Sequence, residues 1–294
     1  MPDFGIMRGF NDKLFGDKLV AGQLPTQLGV IGSQEAFEFD VDAQAFFDRV
    51  TAAGGTLSVT EKAAVNTLVV DMKAAGIWTL QKAIYPMVGA SAAACAQNLK
   101  SSSFTVSFAS GITYSSSGIL GNGTSGYGDT GFNVNTSPTD KNSVHCSVYQ
   151  INNVTEFKST VGATTTGGGN GLGIFTRYQA GSGEFYGQAY NPSVLAIMAN
   201  TNSTGFYVAT RTSLVTAKQY KTIGGVTTSA TNITTTTSGV NGNFYLLGNG
   251  FANTFNYSGA QINFCSIGEG LSDANQSSFY TAVQAFQTTL SRQV

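Results

Sequence analysis

His145 and Cys146 are the side chains whose types best suit a nucleophile and its base. They adjoin in HCSVYQI (145–151), a strand pattern. Neighbours on a strand point to opposite faces, so the two cannot share a proton. The strained turn G-x-S-x-G, which presents a catalytic serine, does not occur. Serine and cysteine hydrolysis are therefore set aside. Glycoside hydrolysis needs two placed carboxylates. From residue 100 onward the acids are Asp129, Asp140, Glu156, Glu184, Glu269 and Asp273, with no tight alternation that would gather several on one strand face. Glu269 reads as a loop charge and Asp273 as a helix start.

Metal and phosphate chemistry find little support. The loop GNGTSGYGDTGFN offers calcium Asp129 with Asn122 and Asn133, a thin set for an ion that wants six or more oxygens. The run GGGNGLG (167–173) lacks the lysine of a phosphate-binding loop and reads as a turn. Cys95, Cys146 and Cys265 are widely spaced and odd in number, which suits buried small hydrophobes rather than disulfides or a zinc knuckle. Neither a metal nor a cofactor is expected, and the reading at this point is non-enzymatic.

What remains is a surface argument. Tyr114, Tyr127, Tyr178, Tyr186, Tyr190, Tyr207, Tyr245 and Tyr257 stand in strands or glycine-rich loops beside Asn, Ser and Thr. A pyranose stacks its apolar face on such rings and offers hydroxyls to amides. Tyr186, Gln188, Tyr190 and Asn191, on a predicted loop, together with Tyr127, are the expected glycan contacts. Half-buried core is the competing role for tyrosines in a sandwich.

The elements that must position these groups follow from composition. The chain has 294 residues, of which 41% are hydrophobic and 11% charged, with 36 glycines and a net charge of −1. That excludes charge-driven disorder and a polycation for nucleic acid. No run is long and apolar enough for a membrane span. Asp3, Asp12 and Asp17 stand where a secretion signal needs a basic and then a greasy stretch, so none is expected. Seventeen charged residues lie in 1–82 and fourteen in 83–294, which marks a boundary between modules.

Residues 1–38 are punctuated by glycine and carry Phe4, Ile6, Phe10, Leu14, Phe15 and Leu19, an expected docking arm for a partner chain. Helices are predicted over 41–53 and 58–75, capped by Ser58 or Thr60 and ended by Gly54-Gly55 and Gly76, with a short helix over 82–86. Together, 39–90 read as a helical collar, with Trp78 a packing anchor. From 91 to 294 short β-branched and aromatic runs alternate with turn clusters, an antiparallel sandwich. LSDANQSSFYTAVQAFQTTL (271–290) predicts a final helix with Phe279, Tyr280, Val283, Phe286 and Leu290 on one face.

Three segments carry a resemblance: NTLVVDMKAAGIWTLQKAIYPMVG (66–89), TYSSSGILGNGTSGYGDTGFN (113–133) and FCSIGEGLSDANQSSFYTAVQAFQTTL (264–290). They resemble bacteriophage virion proteins of tail, fibre or head-decoration type. The last is also similar to the closing strand and helix of laminin-G-like, concanavalin A-like sandwiches. The resemblance implies a mainly β jelly-roll made in the host cytoplasm and carried on the virion. Its arm would dock on other virion proteins, its chains would form a homo-oligomer, and its sandwich would face a host surface glycan for adhesion. The alternatives are a ligand-free decoration protein and a glycan-cleaving depolymerase.

Overall fold

The helices begin and end where local chemistry dictates. Asp40 accepts the amide of Asp42 and starts α1 (Val41–Ala52). Ser58 starts α2 (Val59–Ala74) in a capping box: its hydroxyl accepts the Glu61 amide, and the Glu61 carboxylate accepts the Ser58 amide. Gly54 (φ +81°) and Gly76 (φ +70°) sit in the left-handed region just past each helix. The amides of Gly55 and Ile77 then bond back to the carbonyls of Val50 and Met72, which closes both helices in Schellman turns. The computed structural model describes residues 38–137, 140–164, 170–178, 183–191, 197–237, 239–251 and 254–294. The expected arm residues Phe4, Ile6, Phe10, Leu14, Phe15 and Leu19 lie outside the described residues.

The predicted short helix over 82–86 is instead a strand, β1 (Gln81–Tyr85). Its residues Ala83, Ile84 and Tyr85 pair with Ile267, Ser266 and Cys265. That ladder and the burial of all three side chains outweigh a weak helical preference. A single turn, α3 (Ala92–Cys95), follows. Next come β2 (Ser107–Phe108), β3 (Ile112–Ser115), β4 (Gly118–Gly121), β5 (Gly128–Asn133), β6 (Val144–Gln150), β7 (Val161–Ala163), β8 (Leu172–Tyr178) and β9 (Glu184–Ala189). The remaining elements are β10 (Met198–Ala199), β11 (Gly205–Arg211), β12 (Thr216–Ile223), β13 (Val226–Ile233), β14 (Asn243–Leu246), β15 (Gly248–Phe251), β16 (Thr254–Tyr257), β17 (Gln261–Gly268) and α4 (Asp273–Thr289).

The fold is mainly β, an antiparallel sandwich. One sheet runs β13-β12-β11-β6-β17-β4-β3, with β1 also on β17, and the other runs β10-β9-β8-β7-β14-β5-β2. Strand alternation separates two cores. From β6 and β11, Cys146, Val148, Tyr207 and Ala209 face the second sheet, where they meet Phe132, Phe185 and Phe244. Tyr149, Phe206 and Val208 face the other way, onto Phe46, Leu68, Met72, Phe279 and Phe286 of the helices. Both faces of the first sheet are covered at its centre, where every residue of β6 and β11 is buried.

Residues 39–90 are therefore no separate collar. α1 and α2 lie with α4 as a third layer on the sandwich, β1 is a strand of it, and Phe39–Val294 forms one compact unit. The apolar stripe of α2 needs that sheet face to be buried at all. Trp78 does anchor the layer: it is 7% exposed, with the Lys100 ammonium 4.0 Å from its ring centre.

The two sheets approach closely at Gly187, where an added Cβ would lie 2.5 Å from Cβ of Ala209. Gly187→Ala is expected to cost about 2 kcal/mol by overpacking. Urea unfolding of the variant beside the parent measures it, and equal midpoints would refute the close approach.

Candidate functional site

Four of the five expected glycan contacts are in the wrong place for a ligand. Tyr186 and Gln188 lie within β9, and Tyr190 and Asn191 directly follow it. Tyr186 is 3% exposed, and the other three are fully buried. The segment is no loop, because β8 and β10 pair with it on its two sides. Tyr186 stacks on Phe175 at 4.5 Å between ring centres, and the Tyr190 hydroxyl donates to the Val134 carbonyl. Asn191 accepts the Ala189 amide at 2.9 Å, and the Gln188 amide group is buried without a hydrogen-bond partner. Their rings and amides build the sheet.

Tyr127 does reach a surface. In β14, Phe244 and Leu246 enter the core between the sheets, so Tyr245 must point out of the sandwich. Register places Tyr245 opposite Asp129 of β5 and Gly162 of β7. The hairpin β15–β16 adds Phe255 and Tyr257, two residues apart and so on one face of their strand. Tyr127, just before β5, completes the group.

Its ring centre lies 4.4 Å from that of Phe255, 5.7 Å from Tyr245 and 6.0 Å from Tyr257. Phe255 is 4.7 Å from Tyr257 at 35°, and 5.0 Å from Tyr245 nearly edge-on. All four side chains are half-buried. Tyr127, Phe255 and Tyr257 form a shallow shelf, and Tyr245 stands against it as a wall.

Polar groups border the shelf. Both oxygens of Asp129 accept from Nδ2 of Asn243, at 3.0 and 3.1 Å, and Oδ1 also accepts the Gly131 amide at 2.8 Å. Asp129 is thus held in place with lone pairs to spare for a hydroxyl. The Tyr245 phenol is pushed up, first by burial and then by the negative charge of Asp129 and by Tyr127. It stays a neutral donor at neutral pH. The arrangement can stack an apolar ring face and accept hydroxyl hydrogens beside it.

The other chemistry-bearing residues do not converge. His145 faces the helices and Cys146 the space between the sheets. The Cys95 thiol is pushed up to about 12 by burial, which keeps it protonated. Glu269 pairs with Lys82 at 2.6 Å, and Asp273 with Lys218 at 2.7 Å and the Tyr220 hydroxyl at 2.6 Å. The Asn122 side-chain oxygen is taken by the amides of Thr124, Ser125 and Gly126, and that of Asn133 by Asn135 and Thr136. Among the described residues no three His, Cys, Asp or Glu side chains gather to hold a metal. No helix among them is long and apolar enough to cross a membrane.

A cleft of about 660 Å3 lies elsewhere, between the start of α2 and the end of α4. Hydroxyls of Thr56, Ser58, Thr60, Ser116, Thr289 and Ser291 line it. Its one acid, Glu61, is already bonded to Ser58 and the Gly89 amide. With its one charged group engaged and no aromatic ring in its lining, the cleft is the weaker candidate, and the aromatic shelf is the better site.

Sequence reasoning counted Tyr245 and Tyr257 among its eight candidate rings without singling them out, and passed over Phe255 and Asn243. The signal was present: NFYL puts Tyr245 on the face opposite Phe244 and Leu246, and FNY puts Phe255 and Tyr257 together. What it lacked was the neighbour relation of β14 to β5.

No family model matches the chain, and no curated protein matches it. Among solved structures, one match is domain 4 of a GH43 extracellular arabinanase from Geobacillus stearothermophilus in complex with arabinotriose. It is 15% identical with a TM-score of 0.45, over 69% of this chain and 98% of that one. A second is a mutant of Trypanosoma rangeli sialidase displaying trans-sialidase activity, 13% identical with a TM-score of 0.41. It covers 79% of this chain, which spans 40% of the sialidase chain. The non-enzymatic expectation stands against these two neighbours, which are named as an arabinanase and a sialidase.

Proposed function

We propose that this chain binds a glycan on the outer face of its seven-stranded sheet, with Tyr127, Tyr245, Phe255 and Tyr257 as the platform. The observation that supports this is the convergence of four half-buried rings, 4.4–6.0 Å apart, beside the fixed carboxylate of Asp129. A sugar ring would lie on Phe255 and Tyr257, and its hydroxyls would donate to Asp129 and accept from Tyr245. With one acid at its border the shelf favours a neutral sugar.

A panel of neutral and acidic oligosaccharides, arabinotriose among them, is the first screen, followed by calorimetric titration of the best binder. Tyr245→Ala is expected to weaken binding about tenfold, the loss of one stacked ring and one hydrogen bond. Tyr186→Phe, in the buried strand, is expected to leave affinity unchanged. A panel without binders, or a Tyr245→Ala variant with parental affinity, would refute the proposal. Release of reducing ends that disappears in Asp129→Asn would extend it from binding to cleavage. The virion setting rests on the resemblance alone, and the copy number of the chain in purified particles tests it.

A further inference from the structure

We propose that β13 is a seam where a second copy of this chain adds, strand against antiparallel strand, joining two eight-stranded sheets across a two-fold axis. β13 stands at one end of its sheet. β12 pairs with all eight of its residues without a bulge. On its other side, every second residue turns its N–H and C=O outward. The strand is open to solvent: Val226 is 67% and Ile233 83% exposed, and Thr227, Thr228, Ser229 and Thr231 are exposed too.

Edges that stay single are guarded by charge, proline or a bulge. β13 reads VTTSATNI and has none of these, and no charged residue occurs between Lys221 and Glu269. Its threonines and β-branched ends favour strand pairing, and threonine pairs stabilise each other across strands. A charged partner would find nothing opposite it.

The distribution of apolar groups fits a copy of the same strand. Val226 marks one end; Ile233 marks the other, with Leu214 (55% exposed) and Val215 (44%) beside it. The Thr234 amide bonds to the Val215 carbonyl at 2.9 Å and holds that end together. An antiparallel copy lays the Val226 end of one chain along the Ile233 end of the other, so one symmetry operation covers both. Opposed residues must share a face, which centres the axis on Ser229 or on Ala230.

Sedimentation equilibrium of the full chain tests this, with a dimer expected. Thr228→Lys combined with Ala230→Lys should raise the dissociation constant at least about tenfold, by placing like charges across the seam. Near-ultraviolet circular dichroism should not change. Ala230→Cys or Ser229→Cys should give a disulfide-linked dimer on mild oxidation, because Cys95, Cys146 and Cys265 are buried. Val59→Cys, 83% exposed on α2, should stay monomeric under the same treatment. A single copy at every concentration would overturn the proposal. So would a dimer that ignores the paired lysines, which would assign assembly to another surface.

Discussion

Between pH 6.5 and about 4 the folded chain is expected to lose roughly 3 kcal/mol of stability to His145 alone. The imidazole is fully buried under α4, with its ring centre 5.9 Å from that of Phe279. Nδ1 lies 2.5 Å from the Glu269 carbonyl and must donate to it, which leaves Nε2 to accept from the Ser266 hydroxyl at 3.2 Å. Ser147 in turn donates to Ser266 at 2.7 Å. Every polar atom of the neutral ring is thus satisfied, and neither of its hydrogen-bond partners is a carboxylate.

Burial therefore pushes the His145 pKa down to about 4, against a smaller upward pull from the Glu269 carbonyl and charge. The unfolded chain takes up this proton near pH 6.5 and the folded chain only near pH 4. In that window the unfolded state binds more protons, so stability falls as pH falls. The chain has one histidine, which makes the slope readable. Urea unfolding at intervals from pH 7 to pH 4.5 measures it, and His145→Asn should flatten the profile. Asp273 is held below 3.8 by Lys218 and Tyr220, so its contribution falls at lower pH and does not mimic the effect. A slope unchanged in His145→Asn would refute the assignment.

Arg292→Met is expected to destabilise the fold by about 3 kcal/mol, the cost of stripping donors from buried carbonyls. Arg292 is 5% exposed, and its guanidinium makes no ion pair among the described residues. It serves backbone oxygens instead: Met87 at 2.7 Å, Pro86 at 3.2 Å, Asn263 at 3.3 Å and Ser116 at 3.4 Å, with Nε on the Gln287 side chain at 3.0 Å. These carbonyls come from the ends of β1 and β17 and from the β3–β4 turn, so one side chain ties α4 to three strands.

Burial lowers the Arg292 pKa to about 10, yet the group stays charged at neutral pH because the carbonyl dipoles replace water. Methionine fills the stem's volume but leaves four carbonyls short of a donor. The thermal midpoint should drop by roughly 6–12 °C. Arg292→Lys, with three donors on one nitrogen, should fall between the two. A parental midpoint in Arg292→Met would mean that the strands meet without this clasp.

Helix ends were legible because they are settled within four residues. Ser58 with Glu61, Gly54 and Gly76 state their roles in the sequence, and the structure has them so. The final helix was equally plain, with Ser272 or Asp273 as its cap; the structure uses Ser272 and buries Phe279, Val283 and Phe286 at helical spacing. Strands β6, β8, β11 and β17 were visible as alternating or β-branched runs. β12 and β13 were not: TAKQYKTI carries two lysines and VTTSATNI only polar or small residues between its ends, and such hairpins are held by their ladder.

By itself the sequence determined the class of the fold and the punctuation of its elements, because turn chemistry, caps and strand alternation act between near neighbours. Which faces would be covered was decided by tertiary structure. An alternating strand presents the same pattern whether its outward side meets water, a helix or another ring. EFYGQAY therefore promised exposed tyrosines and delivered buried ones, once β8 and β10 closed on both of its edges. Tyr127, Phe255 and Tyr257 became a shelf with Tyr245 as its wall only when β14 paired with β5 and the β15–β16 hairpin joined them. No local preference encodes that pairing. It follows from the long-range burial of Phe132, Phe244 and Leu246 in one core, which fixes β14 beside β5 and turns Tyr245 outward.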